Sequence, residues 1–172
     1  MKRLIVWLPL AALAALAALF AVYALNRDPQ VTPQAMVGKP VPAVALPGLD
    51  GASPRSLAEV AGEGPVLINF FASWCAPCEF EHPRLTALKA RGVRIVGVAY
   101  KDAPQNSQAF LMRLGDPFER VVIDRQGTAG IEFGLTGVPE TYAVDARGII
   151  VGKFAGPLDA VEAERLAALA AR

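Results

Sequence analysis

A nearly unbroken apolar run, Pro65-Val66-Leu67-Ile68-Asn69-Phe70-Phe71, leads into Trp74-Cys75-Ala76-Pro77-Cys78, which holds the only two cysteines in the chain. The run has the length of a strand, and the segment after Cys78 has helical apolar spacing. On a helix, residues three apart are surface neighbours, and one turn supplies roughly the 5.5–6 Å between Cα atoms that a disulfide needs. Cys75 falls at the helix N-terminus, where free N–H groups and the helix dipole stabilise a thiolate. The thiolate, not the thiol, attacks disulfides. The pattern reads as one activated, exposed nucleophile, Cys75, and one resolving thiol, Cys78. A purely structural bridge is the plainer alternative. A bridge over so short a gap restricts little unfolded chain and stabilises little, so a catalytic dithiol is the better reading.

The start of the chain is a different kind of segment. Met1-Lys2-Arg3 is followed by Leu4 to Leu25 with no charged residue. At 1.5 Å per residue this run reaches roughly 33 Å, enough to cross a bilayer core. A cleaved signal peptide has an apolar region of only about 7–15 residues, so the length favours a retained anchor, with the small Ala24 keeping cleavage open. Lys2 and Arg3 hold the start inside and send the rest out. The expected organisation is a single-pass anchor over 1–25, a polar tether over 26–36, and one folded domain over 37–172 on the exported side of the membrane. Of 17 Lys+Arg, only Lys2 and Arg3 precede Asn26, against 16 Asp+Glu, so the exported part is near neutral. Nothing there points to nucleic acid.

Along the domain, Gly38 to Leu46 alternates with prolines and suits an edge strand. Ser56 to Ala61 reads as a short helical turn, and Val66 to Ala72 as a central strand covered on both faces. The helix after Cys75 carries Phe80, Leu85 and Leu88, should kink at Pro83 and stops near Arg91-Gly92. A second strand spans 93–100. A helix follows from Asp102-Ala103-Pro104 to Gly115, then a third strand over 118–124 and a turn at Arg125-Gln126-Gly127. Glu140 to Val144 and Ile149 to Phe154 form a hairpin. Leu158 to Ala171 closes the chain as an amphipathic helix with Val161, Leu166 and Leu169 on its apolar stripe. This alternation predicts an α/β three-layer sandwich with a central mixed sheet.

Trp74-Cys75-x-x-Cys78 together with Gly137-Val138-Pro139-Glu140-Thr141 resembles the thioredoxin superfamily. In that family a cis-proline loop faces the dithiol, which assigns the role to Pro139 and makes Val138, Pro139 and Trp74 candidates for substrate docking. The gap between Cys75 and Pro139 is longer than in plain thioredoxin. That insertion, the anchor, and the strings Gly38-Lys39-Pro40-Val41-Pro42 and Val98-Ala99-Tyr100-Lys101-Asp102 resemble the DsbE/CcmG proteins of bacterial cytochrome c maturation. The resemblance covers about Val37 to Ala171. It implies a thioredoxin-like fold and a reductant of the haem-binding thiols of apocytochrome c, anchored in the bacterial inner membrane with its active domain on the periplasmic side and kept reduced by a membrane thiol donor of the DsbD/CcdA type. It implies no cofactor.

One departure from plain thioredoxin matters. The buried aspartate six residues before the first cysteine is replaced by Asn69, which cannot take the proton of the resolving thiol. Glu81, three residues after Cys78 on the same helix face, and Glu140, after the matched proline, are the candidate replacements. The bland alternative leaves both as solvated carboxylates. Trp74 is expected to pack beside the dithiol. His82, the only histidine, is expected to be an exposed helix residue, because a metal site needs more ligands than cluster here. Tyr100 to Ser107 is expected to be a polar loop at the rim of the substrate groove. The alternatives are a general reductase of the TlpA/ResA kind and, in a different class, a copper-binding chaperone. A peroxidase is disfavoured by Ala72 three residues before Cys75. A strong oxidant is disfavoured because no histidine or charge lies between the sulfurs to hold the thiolate.

Overall fold

The apolar run becomes the middle strand of a five-stranded sheet. The computed structural model describes residues 2–25 and 34–172; within the first stretch, side chains are described for 9–22. That stretch is a single helix, α1 (Lys2–Leu25), with Pro9 inside it and exposed Leu10, Leu13, Leu16, Leu19, Phe20 and Val22. Among the described residues no helix is long and apolar enough to cross a membrane. The expected span, Leu4 to Leu25, reaches past the described side chains at both ends. Most of the expected tether, 26–33, lies outside the described residues.

The second unit, Gln34–Arg172, carries the rest of the fold. Its elements are β1 (Ala45–Leu46), β2 (Arg55–Ser56), α2 (Leu57–Ala61), β3 (Val66–Phe71), α3 (Ala76–Ala90), β4 (Ile95–Tyr100), α4 (Pro104–Leu114), β5 (Arg120–Asp124), α5 (Thr128–Glu132), β6 (Glu140–Val144), β7 (Ile150–Ala155) and α6 (Ala160–Ala170). The main sheet has the order β5-β4-β3-β6-β7. Strands β3, β4 and β5 run parallel, while β6 is antiparallel to both β3 and β7.

Every residue of β3 is buried, because both faces of the sheet are covered. Alternation sends Leu67 and Phe71 to one face, against Leu85 and Leu88 of α3, Phe110 and Leu111 of α4, and Leu166 of α6. It sends Ile68 and Phe70 to the other, against Leu57 and Val60 of α2 and Ala129 of α5. Burying each such Leu, Ile or Phe contributes about 1.5–3 kcal/mol. On the first face Gly97 is required by close approach, since a Cβ there would stand 2.9 Å from the Phe118 ring. Helix α2 is started by a capping box, Ser56 accepting from the chain ahead while Glu59 accepts from Ser56 N–H.

Several local expectations need correction. Only Ala45–Leu46 of the expected 38–46 edge strand is a strand, paired with β2, plus an isolated bridge from Pro40 to Ile149. Prolines 40 and 42 have no N–H to give a ladder. The third strand begins at Arg120 rather than Phe118, whose N–H is taken by Asp116 Oδ1 at 2.9 Å. Helix α5 follows the expected turn at Gly127 and had no sequence signal of its own. Phe80 and Val161 are 78 % and 73 % exposed, so neither lies on the buried stripe expected of it. Tyr100 to Ser107 is mostly regular structure: Tyr100 ends β4, and α4 begins at Pro104.

Candidate active site

After β3 the chain turns through Ala72-Ser73-Trp74 and enters α3. Cys75 is the N-cap, in extended backbone, and its Sγ accepts the Cys78 N–H at 3.2 Å. A proline near a helix start is tolerated because the first N–H groups have no intrahelical partner, which suits Pro77. Cys75 and Cys78 form a disulfide with their Cα atoms 5.3 Å apart. Cys75 was expected to be the exposed sulfur. In the disulfide form it is buried almost as deeply as Cys78, at 4 % against 2 %. The exposed ring around them is Trp74, Ala76, Pro77 and Phe80.

Trp74 is 60 % exposed, so it is not packed into the core. Its indole N–H points to Lys101 O at 3.4 Å. Lys101 adopts φ +46°, a left-handed backbone that costs about 1–2 kcal/mol for a residue with a Cβ. The next residue shows what holds it there. Buried Asp102 accepts from Ser73 N–H at 2.8 Å, Ser73 Oγ at 2.9 Å, Ser107 Oγ at 2.8 Å and its neighbour Ala103 N–H at 2.9 Å. Asp102 therefore clamps the turn that presents Cys75 to the start of α4. In the sequence it reads as the opening of the helix that follows and as part of the string Tyr100-Lys101-Asp102, with no role at the dithiol turn.

Glu81 is fully buried on α3, one turn beyond Cys78. Its Oε1 accepts from Asn69 Nδ2 at 2.8 Å, and its Oε2 accepts from Leu158 N–H at 2.9 Å. Burial pushes its carboxyl up to about 7, and the two hydrogen bonds oppose that rise. The same Asn69 amide donates to Thr141 Oγ1 at 2.9 Å, so position 69 supplies one donor to Glu81 and one to Thr141.

Glu140 is also fully buried, but on the other face of the sheet. It pairs in register with Phe70 and faces Tyr142 and Lys153, while Thr141 faces Asn69 and α3. Lys153 Nζ lies 2.7 Å from Glu140 Oε1, and the Tyr142 hydroxyl contacts the same oxygen. Burial, followed by the neighbouring carboxylate, raises the Tyr142 phenol well above its ordinary range. The structure thus brings one of the two candidate carboxylates under the dithiol helix and keeps the other away. Neither is the solvated group of the bland alternative. Lys153 gave no usable signal, because a lone lysine in a strand reads as solvent-facing.

The Val138-Pro139 bond is cis, as the resemblance implies, and Val138 packs against the cluster that contains both cysteines. Since Glu140 lies opposite Phe70, Pro139 falls level with the β3 end from which the dithiol turn departs. His82 is buried rather than exposed, with Nε2 2.8 Å from Gly115 O and its ring edge-on to Phe110. Among the described residues no group of His, Cys, Asp and Glu is arranged to hold a metal ion.

The Redoxin family model matches residues 36–169. The chain is 40 % identical over 158 residues to the thiol:disulfide interchange protein HelX of Rhodobacter capsulatus, covering 92 % of this chain and 90 % of the relative. It is 39 % identical over 164 residues to DsbE of Escherichia coli K12, covering 92 % and 89 %. This chain belongs to the DsbE/HelX thiol:disulfide interchange proteins. A crystal structure of a thiol:disulfide interchange protein of the thioredoxin family from Chlorobium tepidum superposes with a TM-score of 0.59 at 28 % identity, over 76 % of this chain and 94 % of that one. The DsbE/HelX fold here is thioredoxin-like with a mixed central sheet, and the activity is thiol:disulfide oxidoreduction. Cys75 and Cys78 are the only two cysteines of the chain, and they form the disulfide at the start of α3.

Proposed function

We propose that this chain is a membrane-anchored, periplasmic reductant of the haem-binding cysteines of apocytochrome c. In the reduced protein the Cys75 thiolate attacks one sulfur of a client disulfide. A Cys75–client bond forms, and the client's other sulfur leaves as a thiolate that takes up a proton. Cys78 then loses its proton, attacks Cys75 Sγ, and releases the second client thiol. The client gains two electrons and two protons, and the chain is left as the Cys75–Cys78 disulfide. A membrane dithiol donor of the DsbD/CcdA type returns the electrons.

The observation that carries the thiol-exchange part of this reading is Glu81, buried on the dithiol helix one turn past Cys78. A buried carboxyl one turn past Cys78, held near 7 by burial, takes the Cys78 proton at the pH where exchange must run. When ionised it also disfavours a thiolate close by, and a less stabilised thiolate makes a dithiol more reducing. The cis-proline loop supplies the docking edge for the client backbone, and Trp74 and Val138 flank it. The anchor reading is supported by the uncharged run Leu4 to Leu25 behind Lys2 and Arg3. The test is deletion of this chain in its own cell. Mature c-type cytochromes should disappear while other periplasmic disulfides form normally. Normal cytochromes with defects in other disulfides would overturn the reading.

A further inference from the structure

We propose that Glu140 is a positioning residue: with Lys153 and Tyr142 it fixes the segment that carries the Gly137-Val138-Pro139 docking loop. The inference rests on the reading that this loop docks the client. All three side chains are buried on the face of the sheet away from α3. Each also reaches the segment just before the loop. The Tyr142 hydroxyl lies 3.0 Å from Phe133 O, and Lys153 Nζ lies 3.4 Å from Gly134 O. Glu140 Oε2 accepts from Thr136 Oγ1 at 2.8 Å and from Thr136 N–H at 3.3 Å. Residues 133, 134 and 136 are thus tied from below, and the loop spans the short gap from Thr136 to Glu140. Gly137 and Thr136 are exposed, so little else covers this stretch.

The chemistry argues against a proton-transfer role for Glu140. Its Oε1 faces the Lys153 ammonium and the Tyr142 hydroxyl and its Oε2 faces Thr136, so its polar partners are these three residues and not the dithiol. It points to the sheet face opposite the dithiol helix. A buried ion pair is a poor source of stability, since apolar replacements of similar volume often do as well. What the pair supplies here is a fixed acceptor at Oε2, aimed at the loop's first anchored residue.

The test measures single-turnover reduction of a disulfide-linked Cys-x-x-Cys-His peptide against peptide concentration, with the pH profile of mixed-disulfide release measured separately. Glu140→Gln and Thr136→Val should each raise the half-saturating peptide concentration, by about 3–10-fold, because a small misplacement of docking groups is costly. Thr136→Val leaves the buried pair intact, so it reports even if Glu140→Gln folds poorly. The double variant Glu140→Gln with Lys153→Met removes both charges but keeps an amide oxygen for Thr136, and should recover most of the loss. Pro139→Ala is run in parallel. A raised half-saturation in Pro139→Ala with none in Glu140→Gln and Thr136→Val overturns the anchoring role alone. No change in Pro139→Ala overturns the docking reading and the inference with it. A shifted release pH profile in Glu140→Gln at unchanged half-saturation overturns the inference in favour of a base.

Discussion

Asn69 Nδ2 donates to Glu81 Oε1 at 2.8 Å, linking the central strand to the dithiol helix at a point one turn from Cys78. The relationship inverts the arrangement the resemblance to thioredoxin brings to mind. There the strand supplies the acid; here the strand supplies a donor and the helix supplies the acid. A carboxylate at position 69 beside Glu81 would place two like charges in one buried site, which raises the proton affinity of one of them strongly.

Glu81 should make folding stability fall with rising pH. Its folded value of about 7 lies above the ordinary 4.5, so between those limits the folded state holds the extra proton. Stability from this group is therefore full below about pH 4.5 and is lost as pH rises through 7. Urea denaturation of oxidised protein at pH 5 and pH 8 checks it. Relative to wild type, Glu81→Gln should gain about 1–3 kcal/mol on going from pH 5 to pH 8. Parallel curves would show that Glu81 does not titrate in this range.

Cys78→Ser should trap a mixed disulfide through Cys75. Cys75 sits at the helix start, where the dipole favours its thiolate, and its Sγ already accepts an N–H. Peptide mapping of the adduct after reaction with an oxidised client peptide decides this. An adduct that forms through Cys78 when Cys75 is removed, and not the reverse, would exchange the two roles.

Asp102→Ala should cost about 1–3 kcal/mol in denaturant unfolding, since it leaves the buried Ser107 hydroxyl and the part-buried Ser73 and Ala103 N–H groups without their acceptor. It should also shift Trp74 emission and slow client reduction, because the turn that presents Cys75 loses its clamp. Asp102→Asn keeps one acceptor oxygen and should fall between. Unchanged emission with unchanged reduction would confine Asp102 to stability.

The N-terminal run should remain attached. Sequencing the N-terminus of the membrane-extracted protein should give the chain's own start. A start near Leu25 or Asn26 would mean a cleaved leader and a free periplasmic protein.

The parts of the fold that were legible are those with local causes. The run 66–71 reads as a doubly covered strand, the C-x-x-C opens a helix, and the two apolar segments 140–144 and 149–154 pair as the β6–β7 hairpin. The burial of Glu81 was not legible, because Glu79 and Glu81 look alike in sequence. What separates them is distant: Glu79 meets exposed Arg113, while Glu81 meets Asn69 and the N–H of Leu158, 77 residues on. The side of the sheet taken by Glu140 follows from strand parity, which is visible only once register with Phe70 is known. His82 and Lys153 are buried by partners at Gly115 and Glu140 that no local pattern reveals.

The most direct test of the account is the pH dependence of client release from the Cys75 mixed disulfide, in wild type and in Glu81→Gln. With Glu81 as acceptor, wild-type release should rise with a midpoint near 7. Glu81→Gln should be slower at neutral pH and recover only as pH passes the ordinary thiol value of about 8.5. Identical profiles in the two proteins would contradict the account, leaving the Cys78 proton to water.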